Sequence, residues 1–138
     1  MRFLQQRCSY SCGPIALMNA LIASGKSIKY SDIPFYRDLV DCDKDGTYPS
    51  NLSYGLSHFF KVHISKKSKI YKFKLIVLKY STPEGDHVCL LTRVKDKWKI
   101  VNGEYKKKGY RPKILLTSKD LKSWLRLKSV ECFILETL

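Results

Sequence analysis

Residues 69–81, KIYKFKLIVLKYS, are where the chain changes period. Apolar and basic residues alternate over the first half, and then Leu75 to Leu78 run apolar without a break. β-Branched and aromatic residues in that order predict a strand entering the middle of a sheet. Two further strands follow, HVCLLTRV (87–94) and KWKIVN (97–102), joined by a turn at Lys95-Asp96. SKDLKSWL (118–125) reads as a helix capped by Ser118, and VECFILETL (130–138) as a closing strand. Upstream, the spacing is helical. In SCGPIALMNALIASG (11–25), Ile15, Leu17, Met18, Leu21 and Ile22 mark a helix, Pro14 suits its first turn and Gly25 its stop. A second helix is predicted over 31–39, capped by Ser31 or Asp32. A third follows GTYPSN (46–51), with Leu52, Leu56, Phe59 and Phe60 on one face. Helices first and strands afterwards predict an α+β fold on a mostly antiparallel sheet.

The length, 138 residues, suits one domain spanning 1–138, and 44% hydrophobic with 28% charged residues is an ordinary globular balance. No apolar run approaches the ~20 residues of a membrane span, and MRFLQQRCSYS lacks the apolar core of a signal peptide, so a cytoplasmic location is expected. In that setting the five cysteines read as reduced thiols, with Cys132 as core filling.

The net charge is +14 and unevenly spread. Seven lysines and no acid lie between Lys61 and Lys79, and residues 106–128 are again basic, whereas five aspartates fall between residues 32 and 45. Such a field draws acidic proteins or nucleic acid; equally, a lysine-rich surface keeps a protein soluble.

Cys12 heads the first predicted helix, where free backbone N–H groups and the helix dipole favour the thiolate, the nucleophilic form. Gly13 beside it leaves room for a substrate backbone. His87 opens an apolar strand after the polar loop STPEGD; its ordinary pKa near 6.5 suits a base that takes a thiol proton and returns it to a leaving amine. Asn102 ends the next strand and is placed to orient the imidazole, although Asn102-Gly103 is also a common turn pair. His58 and His63 flank the third helix and read as surface or structural. Two other arrangements compete. Cys8, Cys12, His87 and Cys89 can be drawn as a zinc site, but His87 and Cys89 on one strand close a tetrahedron poorly. DCDKDG (41–46) starts like a calcium loop, yet its twelfth position is Leu52, so it reads as an acidic turn.

Gln6, five intervening residues, Cys12-Gly13 and an apolar helix together resemble the N-terminal motif of the bacteriocin-processing, double-glycine leader peptidases, which are papain-like cysteine peptidases. The likeness continues through GTYPSNLSYGLSHFF, KLIVLKYS, His87 and Asn102. It implies a papain-like fold in a stand-alone form, with Cys12 as nucleophile, His87 as base, Asn102 as orienting group and Gln6 as a side-chain donor to the oxyanion. Gln5 has the wrong spacing for that last role. Where the family generally has Asp-Pro, this chain has Asn102-Gly103. The implied activity is cleavage of a peptide or isopeptide bond after small residues such as Gly-Gly, with no cofactor and no metal. The partner is then a peptide or protein, and the excess of lysine suits an acidic one. The other reading is an inactive peptidase fold that binds nucleic acid or an acidic protein through its lysines.

Overall fold

The computed structural model describes residues 2–8, 10–83, 85–102, 113–126 and 128–138. Gly103 and the first part of the second basic stretch lie outside the described residues. The helices α1 (Cys12–Ala23), α2 (Ile33–Leu39) and α3 (Pro49–Ser57) come first. The strands are β1 (Phe60–Ser65), β2 (Leu75–Thr82), β3 (Gly85–Val94), β4 (Lys97–Val101), β5 (Lys113–Thr117) and β6 (Val130–Thr137), with α4 (Ser118–Arg126) before the last. They form one six-stranded sheet in the order β1-β6-β2-β3-β4-β5, each neighbouring pair antiparallel.

The sheet separates two apolar layers. On one side α1, α2 and α3 pack with Val77, Val88, Leu90, Val101 and Phe133. On the other, α4 and the turn at Ile70 pack with Ile76, Leu78, Leu91, Trp98 and Ile134. Strands buried on both faces must be apolar at successive positions, which is why LIVL and CFIL read as continuous runs. The C-terminal strand β6 is therefore interior, between β1 and β2.

Helix α1 is buried from Cys12 to Ile22, on every side rather than along one stripe. It lies between the sheet and the other two N-terminal helices, and a helix apolar all round belongs in such an interior position. Its C-terminus closes on Gly25 at φ 93°, with Gly25 N–H donating to the Ile22 carbonyl and Lys26 N–H to that of Leu21. This is the paired cap that satisfies the last orphan carbonyls, and it needs the left-handed residue that glycine supplies.

Three elements differ from the sequence expectation. Residues 67–72 form a 3₁₀ turn, so β2 begins only at Leu75. The alternation in KIYKFK serves to bury Ile70 and to set Tyr71 edge-on against Trp98. Phe60 opens β1 instead of extending the third helix, which places His63 on a strand. Finally, 113–117 is a strand. Both missed strands are the short edges of the sheet. Edges carry lysines and polar residues that prevent edge-to-edge pairing, and this blunts the strand signal.

Gly55 marks the close approach of α3 to the end of α2. A Cβ there would stand 2.5 Å from Val40 Cγ1, and Val40 is fully buried. Gly55→Ala is expected to lower stability by roughly 1–3 kcal/mol through overpacking, despite alanine's better helix propensity. A urea midpoint equal to or above wild type would show that α2 yields freely.

Candidate active site

The N-terminal segment reaches the site because an asparagine holds it there. Asn19, fully buried within α1, accepts the Leu4 N–H at 2.7 Å and donates to the Leu4 carbonyl at 3.0 Å. Two residues further on, Gln6 meets Asn102. Gln6 N–H donates to Asn102 Oδ1 and Asn102 Nδ2 donates to Gln6 Oε1, both at 3.2 Å. The Gln6 carboxamide also donates to the Cys8 carbonyl. Among the described residues five polar side chains are buried, and Gln6, His87 and Asn102 are three of them. Buried polar groups persist when they satisfy one another, and these do.

Asn102 sits at φ 62°, a left-handed conformation that asparagine tolerates better than most residues. Its main-chain carbonyl lies 2.6 Å from His87 Nε2. A carbonyl can only accept, so Nε2 carries a hydrogen, and in the neutral ring Nδ1 is left as the proton acceptor. The bond to His87 thus comes from the backbone of Asn102, while its side chain clamps Gln6. Tyr80, across the β2–β3 pair, meets the His87 ring edge-on at 5.7 Å.

Cys12 lies at the N-terminal edge of α1, on the floor of a cleft of about 330 Å³. Tyr10, Thr47 and Tyr48 help to wall it, and Asp43, Asp45 and Asp86 stand along it. The Val88 backbone amide favours the Cys12 thiolate. Gln6, Asn102 and His87 form one linked chain, and Cys12 lines the cleft together with Val88, the residue after His87. The helix N-terminus alone predicts a depressed thiol pKa; here burial wins and pushes the Cys12 thiol up to about 11, against the favourable backbone N–H groups. Cys12 is therefore a neutral thiol at rest.

Gly13 makes room for the protein itself, not for a substrate. A Cβ at Gly13 would come within 2.7 Å of Thr47 Oγ1. Thr47 follows the acidic turn, where Asp43 and Gly46 pair, Asp45 N–H donates to Asp43 Oδ1 at 2.8 Å, and Gly46 adopts φ 98°. Asn19, Thr47 and Tyr80 were not legible as site residues. Only Asn19 left a sequence signal, an amide inside an apolar helix.

Gln5 is exposed, and so are His58 and His63, the latter paired with Glu136 at 3.1 Å. Among the described residues no three His, Cys, Asp or Glu side chains are grouped to hold a metal ion, and no helix is long and apolar enough to cross a membrane. Of the seven clustered lysines, Lys72 lies over the Phe73 ring, and Lys67 and Lys79 have hydrogen-bonded or ion-paired partners. Lys67 donates to the carbonyls of Leu125, Arg126 and Lys128, and Lys79 pairs with Asp86 and Glu131. A larger cavity of about 550 Å³ lies on the other side of the sheet, between Tyr71 and Leu125. It is lined by neither cysteine nor histidine, whereas the smaller cleft is lined by Cys12 and by Val88 and Asp86, the chain neighbours of His87.

Buried helix, antiparallel sheet and cleft together are a papain-like peptidase fold. Among solved structures, the chain is similar to the peptidase domain of Streptococcus ComA, a bi-functional ABC transporter involved in quorum sensing. That match has a TM-score of 0.71 at 14% identity and covers 98% of this chain and 97% of the other. A double glycine motif protease from an AMS/PCAT transporter, solved with its leader peptide, is similar at a TM-score of 0.72 and 13% identity, over 99% and 91%. No family model and no curated protein matches the sequence significantly.

Proposed function

We propose that this chain is a cysteine peptidase that cleaves a peptide or isopeptide bond after small residues such as Gly-Gly. One observation carries the reading: Cys12 heads a buried helix and lines a cleft beside the strand that holds His87, whose Nε2 is hydrogen-bonded to the Asn102 carbonyl, which fixes the ring. Because the resting thiol is neutral, its proton leaves as the attack begins, with His87 Nδ1 as acceptor. The sulfur adds to the scissile carbonyl. The oxyanion takes hydrogen bonds from the Cys12 N–H at the helix start and from the Gln6 carboxamide, which has two N–H groups and spends one on Cys8. His87 then protonates the leaving amine, and a water deprotonated by His87 releases the acyl group from sulfur. The similar double glycine motif protease, solved in complex with the leader peptide, supports a peptide as the substrate type.

The test is mass analysis of peptides carrying Gly-Gly before varied residues. A single cut after the second glycine is expected, lost when either glycine becomes leucine. Binding without turnover by folded protein would instead favour the inactive module acting through its lysines.

A further inference from the structure

The cavity of about 550 Å³ on the other side of the sheet from Cys12 has a lining of one charge sign. Its charged residues are Lys67, Lys119, Lys122 and Arg126, and no carboxylate is among the described residues that line it. Asp120, the acid of α4, is not on that lining. Lys119, Lys122 and Arg126 stand three and then four residues apart, so one face of α4 presents all three. Each is exposed, and among the described residues none of the three side chains has an ion-pair or hydrogen-bond partner. Lys67 is different, because its ammonium is held by the carbonyls of Leu125, Arg126 and Lys128, where it also offsets the negative end of the helix. Bases without acids around a concave surface focus a positive potential. The floor, by contrast, is apolar. Leu125 is buried and Tyr71 half-buried. Tyr71 meets Trp98 in a T-shaped contact at 6.0 Å, which occupies at most one face of a ring, so Tyr71 keeps a face for a planar partner. At the start of α4, Ser118 Oγ accepts the Trp98 Nε1–H at 3.0 Å, and its own hydrogen is left to donate.

We propose that this cavity binds a nucleotide carrying two or more phosphates, with the base against Tyr71 and Leu125 and the phosphates on Lys119, Lys122 and Arg126. The volume lies within the range of small-molecule sites. Three cations spread along about 10 Å of helix axis suit a chain of phosphates better than a single carboxylate. Arg126 brings a planar fork that matches phosphate oxygens, and Ser118 an uncharged donor. An acidic peptide would complement the charge but leave the aromatic face unused, whereas a base stacks on it. The site goes beyond the peptidase reading and does not depend on it, since Cys12 belongs to the opposite apolar layer.

The experiment is calorimetric titration of the full chain with ATP, ADP, AMP, adenosine and hexaglutamate at about 150 mM salt, where distant surface charges are largely screened. One saturable site is expected, with affinity falling from ATP through ADP to AMP, and with adenosine and hexaglutamate about tenfold or more weaker than ATP. Lys122→Gln and Arg126→Gln should each weaken ATP binding by about tenfold, the usual effect of losing a charged hydrogen-bond donor. Both side chains are exposed, so neither change threatens the fold. Lys26→Gln makes the same change of charge just past the end of α1, and should leave the affinity unaltered. Tyr71→Leu keeps an apolar floor without the ring and should weaken ATP severalfold. No saturable binding of ATP, equal binding of hexaglutamate, or equal losses in Lys26→Gln and Lys122→Gln would overturn the assignment. None of these readouts depends on peptide cleavage, so loss of the peptidase reading would leave them standing.

Discussion

Cys12→Ala is expected to abolish cleavage of a Gly-Gly peptide, by roughly 10⁴-fold or more, because no other group can form the acyl intermediate. The fold should survive, since the change removes one sulfur from a helix anchored by ten further buried residues, Gly13 to Ile22. His87→Ala removes the proton acceptor and should cost about 10²–10⁴-fold. Its residual behaviour is the more informative part. With the base gone, Cys12 must ionise by itself, and burial sets that ionisation at about 11. Below that point the thiolate fraction rises tenfold per pH unit, so alkylation of Cys12 by iodoacetamide in His87→Ala should climb steadily from neutrality towards pH 11. A plateau near neutral pH would mean that Cys12 is a thiolate without help from His87. Cleavage by Cys12→Ala within tenfold of wild type would end the cysteine-peptidase reading.

The interior of the fold was legible because it has strong period signals. A helix read on one stripe proved buried on every side, yet its limits at Cys12 and Gly25 were marked by a proline in the first turn and a glycine just past the last. The central strands announced themselves as apolar runs. The edges did not, since β1 carries lysine, histidine and serine and pairs only with β6. The KIYKFK alternation misled because a 3₁₀ turn can also bury one residue, Ile70, within an otherwise half-exposed or exposed run.

Within the site, residue types were legible and contacts were not. Cysteine at a helix start and histidine at a strand start are visible in a string. The protonation of Cys12 is not, because it depends on how completely the surrounding layers exclude water. Nor could the string reveal that Asn102 serves His87 through its backbone carbonyl. That depends on the left-handed φ at residue 102 and frees the side chain for Gln6.

This division of labour sets up the second large effect. Gln6→Ala should lower kcat by about 10²–10³, the usual loss for one oxyanion donor, with KM little changed. Gln5→Ala should be nearly silent, since Gln5 is exposed. Gln6 also satisfies the buried amide of Asn102, so Gln6→Ala should cost roughly 1–3 kcal/mol of stability as well. Asn102→Gly separates the two roles. Glycine tolerates φ 62° and keeps the carbonyl that holds His87, but it removes both side-chain bonds to residue 6. If Gln6 acts as a donor, Asn102→Gly should be impaired far less than Gln6→Ala, because the carboxamide is still present and still tethered to the Cys8 carbonyl. Equal losses in kcat would make Gln6 a positioning residue for the Asn102 end of the site. Equal effects of Gln5→Ala and Gln6→Ala would place the oxyanion donor elsewhere.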